Sequence, residues 1–95
     1  MELFFEWDEV KAESNYQKHA VTFIEAASAI SDANAVTLHD ALHSEDEDRF
    51  IDIGRSSLGR IIVTVYTERH DCIRIISARK ATPAERRQYE RSEYE

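Results

Sequence analysis

Of the charged side chains, arginine matches a phosphate best, because its planar guanidinium offers N–H donors in pairs to two oxygens at once. Two arginines and a lysine fall within one short run, Arg74-Ile-Ile-Ser-Ala-Arg79-Lys80. That run passes at once into Thr82-Pro-Ala-Glu-Arg-Arg-Gln-Tyr89. The first stretch has the pattern of a β-strand, and the second has the signature of a capped helix carrying more arginine and a tyrosine. In a chain whose net charge is −7, such a gathering of arginines on a sheet points to a phosphate-bearing ligand. The sequence has no Gly-rich phosphate loop, which counts against a binder of small phosphate compounds.

The composition bounds what can position those residues. Ninety-five residues with 42% hydrophobic content form one domain, spanning 1–95, with one modest core. No apolar run approaches the roughly 20 residues a membrane span requires. The N-terminus Met1-Glu-Leu-Phe-Phe-Glu-Trp7 lacks the basic head of a signal peptide, so the expectation is a cytoplasmic protein with no membrane partner. Cys72 is the single cysteine, which rules out an internal disulfide and suits a small buried apolar residue. Charge is unevenly spread: residues 1–48 hold 12 acids and 2 lysines, whereas residues 49–95 hold 10 basic and 7 acidic residues. The halves therefore face different partners, or one covers the other. The acidic total argues against loose, non-specific nucleic-acid binding but does not exclude a local phosphate site.

Leu3 to Trp7 is an aromatic-rich edge strand, and Asp8 caps a helix running to about His19 whose inward face is not strongly apolar. Thr22-Phe-Ile-Glu25 is a capping box opening a second helix, with Phe23, Ala26, Ala27 and Ile30 at helical spacing. From Ala35 the period changes to two. Ala35–Asp40, Arg49–Ser56, Arg60–Glu68 and Cys72–Arg79 are expected strands, with a polar acidic loop over His43–Asp48. The three-residue links after Ser56 and Glu68 suit antiparallel hairpins. Thr82-Pro83-Ala84-Glu85 opens a final helix so polar that it is expected to dock only with a partner. The order β-α-α-β-β-β-β-α gives an α+β fold with an antiparallel sheet, an N-terminal helical hairpin and a C-terminal helix. Simple alternation puts Arg74 and Arg79 on opposite sheet faces unless the strand bulges.

Phe5-Glu6-Trp7-Asp8, then Lys11, Asn15 and Lys18-His19, then Val21-Thr-Phe23 and Glu25-Ala26 resemble the opening of BrnT-type toxins. Gly54-Arg55-Ser56, the Thr67-Glu68-Arg69 turn, Arg74-Ile-Ile-Ser-Ala-Arg79 and the Glu85-Arg86…Tyr89 helix resemble the rest. The resemblance covers nearly the whole chain. It implies a small ribonuclease toxin of a type II toxin–antitoxin system with a RelE-like fold, neutralised by a BrnA-like antitoxin that also carries the pair to promoter DNA. One departure is Ala20, where the family pattern has Gly after the Lys-His pair, a residue suited to a left-handed helix cap.

A metal-free ribonuclease turns the ribose 2′-OH on the neighbouring phosphorus, and needs a proton acceptor, a proton donor for the leaving 5′-oxygen, and cations around the phosphorane. Arg79 is the first candidate for the phosphorane, Glu68 for the base, and His19, whose ordinary pKa is near neutrality, for acid or base. Lys18, Arg49, Arg69, Arg74, Lys80 and Tyr89 are candidates for holding RNA, Tyr89 by stacking on a base or else by packing the last helix. No cofactor is expected. His39, Asp40, His43 and Glu45–Asp48 include metal-ligand types, but their spacing is non-specific and lacks the form of a calcium loop. The alternative function is a non-catalytic interaction module or co-repressor subunit on the same fold.

Overall fold

Nine residues rich in Ile, Val and Thr, Ile61–Arg69, form the central strand β4, which suits β-branched side chains pleated between two layers. In the computed structural model, which describes residues 3–44 and 47–93, the sheet order is β1-β5-β4-β3-β2. The other strands are β1 (Phe4–Glu6), β2 (Val36–His39), β3 (Arg49–Arg55) and β5 (Cys72–Lys80). The helices are α1 (Glu9–His19), α2 (Phe23–Ile30) and α3 (Pro83–Glu93). The element order is the expected one, and a 3-10 turn at Ala41–His43 opens the acidic loop. The sheet is not wholly antiparallel, because β1 runs parallel to β5 through Phe4–Glu6.

The two faces of the sheet carry separate clusters. Val21, Phe23, Ala26 and Ala29 from the hairpin pack on Ile62, Ile75 and Ala78. On the other face Tyr89 of α3 packs on Ile53, Ile61 and Val63. Helix α3 therefore docks on the sheet within this chain, contrary to the expectation from its polarity. One fully buried tyrosine supplies the contact that the sparse apolar pattern concealed.

Helix α1 is held by hydrogen bonds more than by apolar area. Its N-cap Asp8 accepts from the Val10 and Lys11 amides at 2.8 and 3.2 Å. The only buried residue of the helix is Asn15. Its amide donates to the Ala78 carbonyl (2.8 Å) and the Val21 carbonyl (3.0 Å), and its carbonyl accepts from the Ala78 N–H (3.0 Å). Strand β1 pairs β5 only as far as Arg74, so at Ala78 the side chain of Asn15 stands where a further strand would be. At the far end Ala20 adopts the left-handed conformation (φ 56°, ψ 34°) and donates its N–H to the Tyr16 carbonyl at 2.8 Å. Ala thus makes the turn that Gly would make, at a cost of about 1 kcal/mol.

Both capping boxes were expected to close, and only the second does. Thr82 Oγ1 accepts from the Glu85 amide and Glu85 accepts from the Thr82 amide. Thr22 accepts from the Glu25 amide, but the Glu25 carboxylate turns inward to Ser56 (2.7 Å) and Arg60. Arg60 also donates to the Ala20 carbonyl at 3.1 Å, tying the hairpin turn to the start of β4. Gly54 permits α2 to lie on β3, since a Cβ there would stand 2.2 Å from the Ala29 carbonyl oxygen.

Asn15→Ala would leave the Ala78 N–H and C=O and the Val21 C=O buried without partners. The expected loss is about 2–4 kcal/mol, read from the urea unfolding midpoint.

Candidate functional site

The position of the arginines is decided by one extra residue. Val65 pairs with Ser77 and Tyr66 with Ile75, so Ile76 is a bulge in β5 and alternation resets there. Arg79 then pairs with Val63, whose side chain joins the α3-side cluster. Two and four residues on, Val65 and Thr67 share that face, and Thr67 pairs with both Arg74 and Arg49. The bulge therefore corrects the opposite-face expectation: Arg49, Arg74 and Arg79 lie on one face, and by alternation so does Arg69. Buried Thr67, between Arg49 and Arg74, has no hydrogen-bond partner for its hydroxyl.

Most of these arginines already hold a carboxylate. Arg79 pairs with Glu85 through both terminal nitrogens, at 2.7 and 2.9 Å. Arg74 pairs with Glu6 at 3.0 Å, and Arg69 with Glu47 at 3.0 and 3.1 Å. The Arg49 guanidinium makes no ion pair with a described residue. The Arg79 guanidinium drives the Glu85 carboxyl down to about 2, with the Thr82 amide assisting against desolvation, so Glu85 stays ionised at any ordinary pH.

Lys18 and His19 end α1, where they line a small groove with Lys11, Ser14, Ile76 and Ser77. Ser77 shares the face of Arg79, since it pairs with Val65. His19 thus lies beside β5 at Ile76 and Ser77, two residues short of Arg79 along the strand. Glu68 is not brought there. It pairs with Ile73, which packs against the hairpin-side cluster, and it borders a groove with Leu3, Phe4 and Cys72. From Val63 to Glu68 is five residues, about 16 Å along the strand. Lys80 is exposed at the end of β5 on the hairpin side, near Arg60 and Arg86.

Tyr89 differs from the expectation of an RNA contact. Its ring is 1% exposed, its hydroxyl donates to Asp32 at 2.5 Å, and Arg55 lies over it at 5.6 Å. Burial, then the Asp32 bond, pushes its phenol up to about 12. A ring so enclosed offers no face to a base, so Tyr89 belongs to the core. In the acidic segment His39 pairs with Asp48 and His43 with Asp40, as two separate contacts. Glu45 and Asp46 lie outside the described residues.

Three residues escaped the sequence reading. Asn15 was noted for its family position but not as the residue that plugs β5. Ser77, which lines the groove at the end of α1, was given no role. Asp52 gave no signal beyond its place in a strand. It is 1% exposed, accepts from the Thr37 hydroxyl at 3.2 Å, and leaves Oδ2 unpaired. Desolvation raises its carboxyl to about 7, with the Thr37 bond opposing. A strongly shifted group is often functional. Asp52 is shut away on the hairpin side, however, paired with Thr64 across from the arginine face, and does not reach a ligand there.

Comparisons with known proteins give the family and the fold. The family model for the ribonuclease toxin, BrnT, of type II toxin–antitoxin systems matches residues 7–85. The class is therefore a ribonuclease toxin of such a system, and the chain belongs to the BrnT family. The 1.1 Å crystal structure of the Brucella abortus ribonuclease toxin BrnT superposes with a TM-score of 0.66 at 21% identity, covering 85% of this chain and 99% of that one. The α+β fold is thus shared. No curated protein sequence matches the chain.

Asp52 binds its proton more tightly folded than unfolded. Its contribution to stability is complete below the ordinary value of 3.8 and is lost as pH rises through about 7. Asp52→Asn should flatten the fall in urea midpoint between about pH 4 and pH 7 and leave the variant the more stable protein at alkaline pH.

Proposed function

We propose that this toxin is a metal-independent endoribonuclease that uses the arginine face of its sheet to hold single-stranded RNA and so blocks translation. The observation that carries the reading is the bulge at Ile76, which gathers Arg49, Arg74 and Arg79 on one face. Planar forks arrayed in this way suit consecutive phosphates.

In this reading the ribose 2′-OH attacks phosphorus, the P–O5′ bond breaks, and a 2′,3′-cyclic phosphate forms. His19 exchanges protons from the β5 edge. Arg79 neutralises the phosphorane, once phosphate has displaced Glu85. Lys18, Arg49, Arg69 and Arg74 hold the strand on either side, and Lys80, on the hairpin side, would meet it only where it passes the end of β5. Glu68, proposed from sequence as the base, is remote from this surface, and the assay below tests it separately. A BrnA-like antitoxin is the proposed partner. It would silence the toxin in the cytoplasm and carry the pair to promoter DNA.

The purified chain, incubated with total RNA in EDTA, is expected to cleave it. Arg79→Ala should lose about 10²-fold or more in rate, the usual scale for removing a group that stabilises a developing charge. Glu85→Gln keeps a side chain able to cap α3 but frees Arg79, and should cleave at lower RNA concentrations than wild type. If Arg79→Ala cleaves like wild type, the site is wrong. If Glu68→Ala does so, the base is elsewhere. Expression of the chain alone should arrest growth, whereas a non-catalytic interaction module would not.

A further inference from the structure

Helix α1 segregates its exposed side chains by flank. Lys11, Ser14 and Lys18 line the groove beside β5. Glu9, Ala12, Glu13 and Tyr16, spaced three and four apart, line a second groove of about 390 Å³ against α2. Its floor is aromatic: Trp7 meets Phe23 edge to face at 6.0 Å, and the indole N–H donates to Glu9 at 3.1 Å. Its walls leave large apolar groups in solvent, with Tyr16 51% exposed and Ile24 73%, and Val10 on the adjoining surface is 78% exposed. No ion pair with a described residue neutralises Glu9 or Glu13. The groove therefore combines a rigid aromatic base, apolar walls and an acidic rim. That composition anchors a partner segment through a few buried side chains, with charge selecting which one.

We infer that the α1–α2 groove is the docking site of the antitoxin, and that its occupant is an amphipathic segment whose apolar side chains enter between Tyr16 and Ile24 while Lys or Arg residues meet Glu9 and Glu13. The inference rests on the chain's membership of a type II toxin–antitoxin family and does not depend on RNA cleavage. The sign of the charge fits, since Glu9 and Glu13 form an acidic rim with no ion pair to a described residue and call for a basic partner. A segment seated there is one helix diameter, about 10 Å, from the flank that bears Lys18 and His19. Continuing over α1, it would cover the edge of β5 without occupying the arginine face.

The test uses the full chain and its purified, fluorescently labelled cognate antitoxin. Ile24→Glu and Glu13→Lys alter exposed side chains, and Ile24→Ala is the milder companion should the charged variant disturb folding. Each of the two charged variants is expected to weaken antitoxin binding at least tenfold, with the urea midpoint unchanged, and Ile24→Ala to weaken it less. Co-expressed antitoxin should then fail to rescue growth from either charged variant. Affinities within twofold of wild type for all three would overturn the inference. So would sedimentation of the chain alone as a dimer that Ile24→Glu dissociates, which would give the groove to a second copy. Growth arrest without antitoxin is read in parallel. If the wild-type chain fails to arrest growth, the ribonuclease proposal falls while the binding result still decides the groove.

Discussion

The amide of one buried asparagine holds three parts of this molecule in register. Asn15 reaches from α1 to both backbone groups of Ala78 and to the carbonyl of Val21, so helix, hairpin turn and sheet edge share a single side chain. Without it the free edge of β5 would carry unpaired polar groups into the interior, a cost that hydrophobic contact from a helix this polar does not offset. The same bonds set the rotation of α1. Once Asn15 faces Ala78, one flank with Lys11 and Lys18 must face the β5 groove and the other, with Glu9 and Glu13, must face α2. The groove beside β5 and the groove against α2 both follow from that rotation.

The opposed charges of the two halves of the sequence meet in the folded chain. Glu6 pairs with Arg74, Glu25 with Arg60 and Glu47 with Arg69, each an acid from the first half on an arginine from the second. The arginine face is thus largely self-neutralised in the free protein. A phosphate must compete with carboxylates for most of these guanidiniums, which raises selectivity for a ligand that engages several at once over a single stray anion. The buried member of the set, Glu25 with Arg60, serves architecture. The Arg60 guanidinium holds that carboxyl below its ordinary range, against the cost of burial.

Much of this was legible in the residues. The switch from helical to alternating periodicity near Ala35 gave the element order, and Asp8, Thr22 and Thr82 marked the helix starts within a residue. What failed was what periodicity does not encode. A bulge adds one residue without changing composition, so Arg74 and Arg79 were separated on paper and united in space. Parallel pairing of β1 depends on a long-range contact with no local signature. The last helix looked undocked because its anchorage is concentrated in Tyr89, and a single aromatic makes little impression on an average. The candidate site was legible as a set of residue types. The separation of Glu68 from Arg79, and the enclosure of Tyr89, required the third dimension.

The bulge at Ile76 also changes what kind of information the segment carries. In a regular strand, side-chain identity is read modulo two, and any even spacing would serve to place two arginines together. Here the separation of Arg74 and Arg79 is odd, and only the inserted residue makes it work. Length has become part of the motif, much as a reading frame is part of a gene. Loss or gain of one residue between the two would leave every arginine in the sequence and move one of the pair to the far side of the sheet. Substitutions at the intervening positions change the packing, whereas the number of positions decides which face each arginine takes.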